Sequence, residues 1–327
     1  MNDKRPNPDL LLKQVNADED HAKRGRLKIF FGASAGVGKT YAMLTAAHEA
    51  LKQHTPLVVG IIETHGRKET ARLAKNLPHL GLKKIAYRGR ILDEFDLDAA
   101  LEFGKSHPDA LILVDELAHS NVPGSRHPKR WQDVEELLHA GIDVWTTMNV
   151  QHLESLNDIV SRITGIPVRE TVPDRIFDQA EEVIVIDLPP DELILRLKQG
   201  KMYLPEQTLL ASKNFFRKGN LLALRELTLR RTADRIDGEI QAYRLRNAST
   251  TVWPHRESLL ACITPDEIGE KVIRSSARLA AQLDVPWHAI YIESPSTLHE
   301  NDNEIREKAT KLLKLASDLG ATAATQS

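Results

Sequence analysis

The sequence predicts an α/β protein whose mostly parallel sheet is covered by helices on both faces, with a helical appendage and a second, partial α/β domain. Three observations carry this reading. Short apolar runs alternate with longer amphipathic stretches from Leu27 to Ile186, and repeated strand–helix–strand units close as right-handed crossovers between parallel strands. Residues 190–247 replace that alternation with a Leu-, Arg- and Glu-rich helical pattern. The alternation then restarts after residue 254.

In chain order, residues 1–22 are polar, with Pro6, Pro8 and Asp18-Glu19-Asp20, and are expected to form a flexible tail. Strands are predicted at Leu27–Phe31, Leu57–Ile62, Lys84–Tyr87, Leu111–Val114, Asp143–Thr147 and Val183–Ile186. Helical patterns lie between them, among them Lys39–Gln53, Glu69–Leu77 and Pro128–Ala140, the last ended by Gly141 as a C-terminal cap. In the appendage, Leu221, Leu222, Leu224, Leu227 and Leu229 read as one helical face. The first domain is therefore set at 23–246. Asn247–Pro254 is polar and ends in proline, as a linker does. Residues 255–327 follow with a strand at Ser258–Ile263, a helix at Asp266–Leu283, a strand at Trp287–Ile292, a helix at Ile305–Leu319 and a last strand beginning at Ala321–Thr325. That is about half of a doubly wound domain of usual size, and the domain is expected to continue beyond the last residue.

Composition narrows the function. The 327 residues are 41% hydrophobic and 28% charged, enough for about two domains with a sizeable core. Forty-four basic residues against 46 acidic ones give a net charge of −2, which argues against nucleic acid as a partner. A lone Cys262 excludes an internal disulfide, a cysteine zinc site and CxxC redox chemistry. No signal peptide and no apolar run of about 18 residues is present, so this chain alone is expected to be soluble.

The most informative segment is Gly32-Ala33-Ser34-Ala35-Gly36-Val37-Gly38-Lys39-Thr40. It fits a phosphate-binding loop in the form that admits Ala33 as its first position. By chance such a string arises in roughly a few per cent of chains this long, but its context is specific: an apolar strand runs into it and a helix-forming stretch leaves it. That arrangement places backbone N–H groups of Ala33 to Thr40 and a helix N-terminus around phosphates. Lys39 is then expected to reach the β- and γ-phosphates and Thr40 to offer its hydroxyl to Mg²⁺. The fold expected is that of a P-loop NTPase.

Leu111–Val114 followed by Asp115 reads as a buried strand delivering a carboxylate at its C-terminal end, about 75 residues after the loop. Asp115 is the candidate second Mg²⁺ residue. Either Glu116 or Glu63 could activate a nucleophile, and Asn149 and Gln151 are candidates to sense the γ-phosphate. Arg126, Lys129 and Arg130 are candidates for a phosphate clamp. Arg217, Lys218, Arg225, Arg230, Arg231 and Arg235 are expected mainly on a solvated helix face. Thirteen histidines without HExxH or a ligand pair leave Mg²⁺ as the expected metal, and the absence of NKxD favours ATP over GTP.

The strings FFGASAGVGKTYAML, GIIETHGRKET, IAYRGR, EFDLDAAL, LILVDELAHSNVPGSRHPKRWQD, GIDVWTTMNVQHLESLND, TGIPVRETVPD and FFRKGNLLALRELTLRRTADR closely resemble the N-terminal cytoplasmic region of the KdpD family, osmosensitive potassium-channel sensor histidine kinases. The likeness runs from about residue 23 to 236, and the part after Trp253 resembles that family's universal-stress-protein-like domain. It implies an ATP-binding regulatory region of a two-component sensor at the inner membrane that controls potassium uptake. Implied partners are the sensor's own membrane and kinase domains and a cytoplasmic response regulator. The alternatives are a P-loop serine kinase or ATPase acting on a partner such as the potassium pump, and a non-enzymatic docking scaffold. The transmembrane and histidine-kinase parts of the family have no counterpart in this sequence, and a homodimer is left open. Some relatives bind a cyclic dinucleotide through an SxS and an FTAxY-like strand. Here Ser275-Ser276 does not meet the first, and only Ala289 and Tyr291 fit the second.

Overall fold

The computed structural model describes residues 24–199, 215–247, 258–283, 285–292 and 302–326. The expected tail at 1–22 and nearly all of the expected linker lie outside these residues. The chain divides into two compact units between Ala242 and Tyr243.

The first unit is built on a sheet whose strands are β1 (Leu27–Gly32), β2 (Leu57–Ile61), β5 (Leu111–Val114), β6 (Asp143–Asn149) and β7 (Glu182–Ile186). Their spatial order is β2-β5-β6-β1-β7, and every neighbouring pair is parallel. Both faces are apolar. Ile29, Phe31, Ile112 and Val114 enter one core, whereas Phe30, Leu111 and Leu113 alternate into the other, as a parallel sheet clad on both sides requires. Helix α1 (Lys39–Lys52) buries Met43, Leu44 and Ala47 on the second face. Helix α2 (Lys68–Lys75) adds Ala74 there, and the chain just beyond it adds Leu77. Helices α3 (Leu97–Ser106), α4 (Arg130–His139), α5 (Asn157–Thr164) and α6 (Asp174–Asp178) cover the first. Gly141 takes φ 79° just past α4, so the expected glycine stop is present.

One predicted strand does not join this sheet. Lys83–Tyr87 forms β3 and pairs antiparallel with β4, Arg90–Glu94. The two-residue turn between them has both Arg88 and Gly89 at positive φ, 48° and 75°, the twist that tight hairpins favour. The reason is in the side chains. Charges fall on both faces of KKIAY and RILDE, and Ile91 is 70% exposed, so neither strand could enter a doubly covered sheet.

The appendage consists of α7 (Pro190–Lys198) and α8 (Lys218–Asn247). The five leucines of α8 do not share a face: Leu221 and Leu224 are buried, while Leu222 and Leu229 are exposed. At 100° per residue an i, i+1 pair diverges, and packing selects the i, i+3 members. Nor is the basic face simply solvated. Arg225 grips Asp187 through three contacts of 2.6–3.0 Å. Arg235, nearly buried, donates to the carbonyls of Phe177 and Ala180. A small core of Val37, Leu193, Phe216 and Leu221 fastens the appendage to the glycine-rich loop itself.

Asp133 on α4 is buried, receives a 2.6 Å hydrogen bond from Asn121 Nδ2, and is pushed up to about 6 by burial. Asn121 Oδ1 has no partner. Asp133→Asn, whose amide can donate to that oxygen, is expected to stabilise the protein by about 1–3 kcal/mol at pH 7. The folded carboxyl holds its proton more tightly than the unfolded one. The wild-type penalty is therefore complete above about pH 6 and vanishes as pH falls to about 4. Urea denaturation of both proteins across that range should show the two stabilities converge at acid pH.

The second unit has a parallel sheet in the order β10-β9-β8, formed by Leu259–Cys262 (β8), Trp287–Ile292 (β9) and Thr322–Gln326 (β10), with helices α9 (Glu267–Leu283) and α10 (Asp302–Asp318). Its core gathers Ala261, Ile263, Ile273, Trp287, Ala289 and Ala316. Asp266 caps α9, its Oδ1 accepting from the amides of Ile268 and Gly269 at 2.9 and 3.0 Å. Cys262 is a free, exposed thiol. Among the described residues no helix is long and apolar enough to cross a membrane.

Candidate functional site

Parallel strands deliver their C-terminal ends to one edge, and the register aligns them there: Gly32 of β1 pairs with Asn149 of β6, and Val114 of β5 with Thr146. The chain leaves β1 as a turn and enters α1 through Gly38, whose φ of 109° serves as the helix N-cap. A side chain at that angle would be strained, so glycine is required. The first amides of α1 then face the strand ends.

Lys39 Nζ lies buried, donating to the carbonyl of Ser34 at 3.0 Å and to Asn149 Oδ1. Burial lowers its pKa to about 8, against the opposing pull of Asp115. Thr40 Oγ1 is 3.2 Å from Asp115 Oδ2 and 3.4 Å from Oδ1. Asp115 is also buried and is held by the amides of Glu63 (3.2 Å) and Glu116 (3.1 Å) and by the Thr147 hydroxyl. Burial pushes its carboxyl up, only partly offset by the Thr147 hydrogen bond. A threonine hydroxyl beside a carboxylate is a hard oxygen pair of the kind Mg²⁺ takes, and the site fits that ion. Among the described residues no group of three or more His, Cys, Asp or Glu could hold another metal.

Glu116 has φ 56°, a conformation costing a non-glycine residue roughly 1–2 kcal/mol. It turns the side chain into the cleft beside the loop, 3.0 Å from His65 Nε2. Burial raises its carboxyl, but the His65 hydrogen bond and the His65 and Arg130 charges outweigh this and hold it below the usual range. Glu63 sits behind it: its backbone braces Asp115, and burial followed by the nearby Glu116 charge raises its own carboxyl. The structure thus separates two carboxylates that the sequence leaves equivalent.

Ala35, Gly36, Gly38, Lys39, Thr40 and Asn149 line the cleft. Ala33 packs on the first core, Ser34 is buried, and Val37 faces the appendage. Gln151 touches His152 at 3.3 Å and does not line the cleft. The proposed clamp residues lie elsewhere. Arg126 pairs with Asp98 and Glu136, and Lys129 bonds Ser120. Arg130 is interior, donating to the Asp115 carbonyl at 3.0 Å and to Glu94 at 3.4 Å.

The arginine that does reach the cleft, beside Lys39, is Arg67, and His65, His119, His152 and Glu170 line it as well. Arg67 and His65 follow β2 directly, and the C-terminal end of a parallel strand is the signal for them. His152 and Glu170 are joined only by the fold, through a 2.8 Å bond from His152 Nδ1 to the Glu170 carbonyl and the Leu153–Val172 bridge. Burial holds the His152 imidazole below its ordinary pKa.

Comparison with known proteins identifies the family. The pattern of the KdpD family, described as "Osmosensitive K+ channel His kinase sensor domain", matches residues 23–236. The sensor protein KdpD of Escherichia coli is 56% identical over 323 residues, 99% of this chain and 35% of its own length. That of Clostridium acetobutylicum is 48% identical over 315 residues, 96% of this chain and 35% of its own. A KdpD-named sensor protein of Synechocystis is 44% identical over 270 residues, 83% of this chain and 71% of its own. Among solved structures, a genome-packaging NTPase of Sulfolobus turreted icosahedral virus 2 in complex with AMP covers 58% of this chain and 86% of its own, at 13% identity and a TM-score of 0.30, too low to carry any argument. The chain spans about a third of the length of the first two relatives. It belongs to the KdpD family of sensor proteins.

Proposed function

We propose that this chain is the ATP·Mg²⁺-binding cytoplasmic regulatory region of a two-component sensor histidine kinase that controls potassium uptake at the inner membrane. One observation carries the nucleotide reading: Lys39, Thr40 and Asp115 converge behind a glycine-capped helix N-terminus, with the ammonium and hydroxyl already on the carboxylate side. Lys39 would bridge the β- and γ-phosphates. Thr40 and Asp115 would hold Mg²⁺, and Arg67 would meet the γ-phosphate. Regulation then needs only different nucleotide affinities in two states of the sensor, read by its membrane and kinase domains and passed to a response regulator. The domain limits proposed are 23–246 for the nucleotide-binding part with its appendage and 255–327 for the partial stress-protein-like part. Family membership supports the sensor assignment.

Glu116 favours a second reading, turnover. It is placed in the cleft at a strained backbone and kept ionised by His65, as a base activating water or a partner serine must be. The test is incubation with γ-labelled ATP and Mg²⁺, with and without the potassium pump. Label on a serine or released phosphate, reduced at least about a hundredfold in Glu116→Gln with ATP affinity retained, establishes turnover through this carboxylate. Equal loss in Glu63→Gln alone would move the role to Glu63. Binding without label leaves the regulatory module. Absence of ATP binding overturns both and leaves a docking scaffold.

A further inference from the structure

A second cleft lies on the opposite flank of the phosphate loop. It shares Gly36, Gly38, His65 and Arg67 with the first, and its further lining includes Tyr41, Ala42, Ile186 and Arg196 together with the charged Lys68 and Glu69. The two are therefore the halves of one trough running past the N-terminus of α1. Their chemistry differs. The first half holds the buried ammonium and carboxylates. The second has an aromatic ring, Tyr41, 48% exposed in the first turn of α1, with the apolar side chains of Ala42 and Ile186 in the same lining and Lys68 and Glu69 as its charged members.

Its far wall comes from the appendage. Arg196 of α7 brings Nη1 to 4.0 Å from the place a Cβ on Gly38 would occupy. Nη2 is tied to Glu192 at 2.9 Å, one turn back. A guanidinium whose charge is already shared with a carboxylate is poorly suited to neutralising phosphate, but its planar face remains free to stack. Two turns of the same appendage are seated on the loop through Val37, Leu193 and Leu221.

Resting on the ATP-binding reading, we infer that the appendage completes the nucleoside half of the site: Arg196 stacks on one face of the purine, with Tyr41 lining the same half. Nucleoside binding then clamps α7 to the loop, and α8 is held with it through the shared core. The appendage reads the base, and the loop reads the phosphates.

The experiment compares Mg-ATP with Mg-tripolyphosphate, which has the phosphates and no base, on the full chain, by calorimetry and by amide exchange of α7 and the start of α8. Arg196→Ala is expected to weaken ATP about five- to tenfold, to leave tripolyphosphate unchanged, and to abolish the ATP-specific protection of α7. Arg196→Lys, lacking the planar face, should not restore it. Arg196 is over a third exposed, so its truncation leaves the fold intact. Equal loss of both ligands would make Arg196 a phosphate contact and overturn the inference, as would wild-type ATP affinity in Arg196→Ala. If ATP binding depends on Lys39 while Arg196 is silent, only this inference fails. If the wild-type chain binds no ATP, the functional reading fails as well.

Discussion

Lys39→Ala is expected to lower affinity for Mg-ATP at least about a hundredfold while leaving the protein as stable as the wild type, or more so, at pH 7. The two halves have one cause. Without phosphate the ammonium is buried against a carbonyl and an amide oxygen, and burial lowers its pKa from 10.5 to about 8. The unfolded state therefore binds more protons between those values, and wild-type stability rises with pH through that window as the buried charge is lost. The penalty at pH 7 is up to about 3 kcal/mol, partly offset by the two hydrogen bonds, and alanine removes both. Phosphate restores the charge, so ATP affinity should fall as pH rises past 8, with proton uptake on binding. Calorimetry in buffers of different ionisation enthalpy measures the uptake, and thermal melts measure the stability. A collapsed fold in Lys39→Ala, or ATP affinity flat between pH 7 and 9.5, would contradict this account.

Arg130→Met is expected to be the most destabilising substitution near the site, by about 3–5 kcal/mol, or roughly 10 °C in Tm for a unit of this size. Arg130 is 1% exposed and joins the carbonyl of Asp115 to the buried Glu94 carboxylate. Removing the guanidinium strands that carboxylate with only His119 and the Val122 amide. The partner variant separates charge burial from shape: Arg130→Met with Glu94→Leu should recover most of the loss, because two apolar side chains leave no unpaired ion. Equilibrium denaturation decides it. A loss under about 1 kcal/mol, or no recovery in the double variant, would show that the pair does not bear on stability.

Arg130 also shows where sequence reasoning stops. In GSRHPKRW it is indistinguishable from Arg126 and Lys129, and all three are candidates to clamp phosphate. The fold turns one of them inward as the first residue of α4 and leaves the others in surface contacts. Similarly, KKIAY has the β-branched and aromatic content of a strand, and it is one. That it pairs with RILDE outside the sheet depends on which faces must be covered, a property of the assembled layers and not of five residues.

The glycine-rich turn between β1 and α1, by contrast, is legible because its determinants are consecutive. An apolar strand, glycines that permit a left-handed turn, and a helix that starts at once set the positions of Lys39 and Thr40 by local geometry alone. Asp115 is legible for the same reason, as the polar end of a four-residue buried strand. The choice between Glu116 and Glu63, the arrival of Arg67, His152 and Glu170, and the seat of the appendage on Val37 are not. They arise from strand order, with β6 inserted between β1 and β5, and from packing between residues up to about 180 positions apart. Local sequence determines which side chains stand at the ends of strands. Only the tertiary fold decides which of those ends meet, because side-chain packing and burial act between segments distant in the chain.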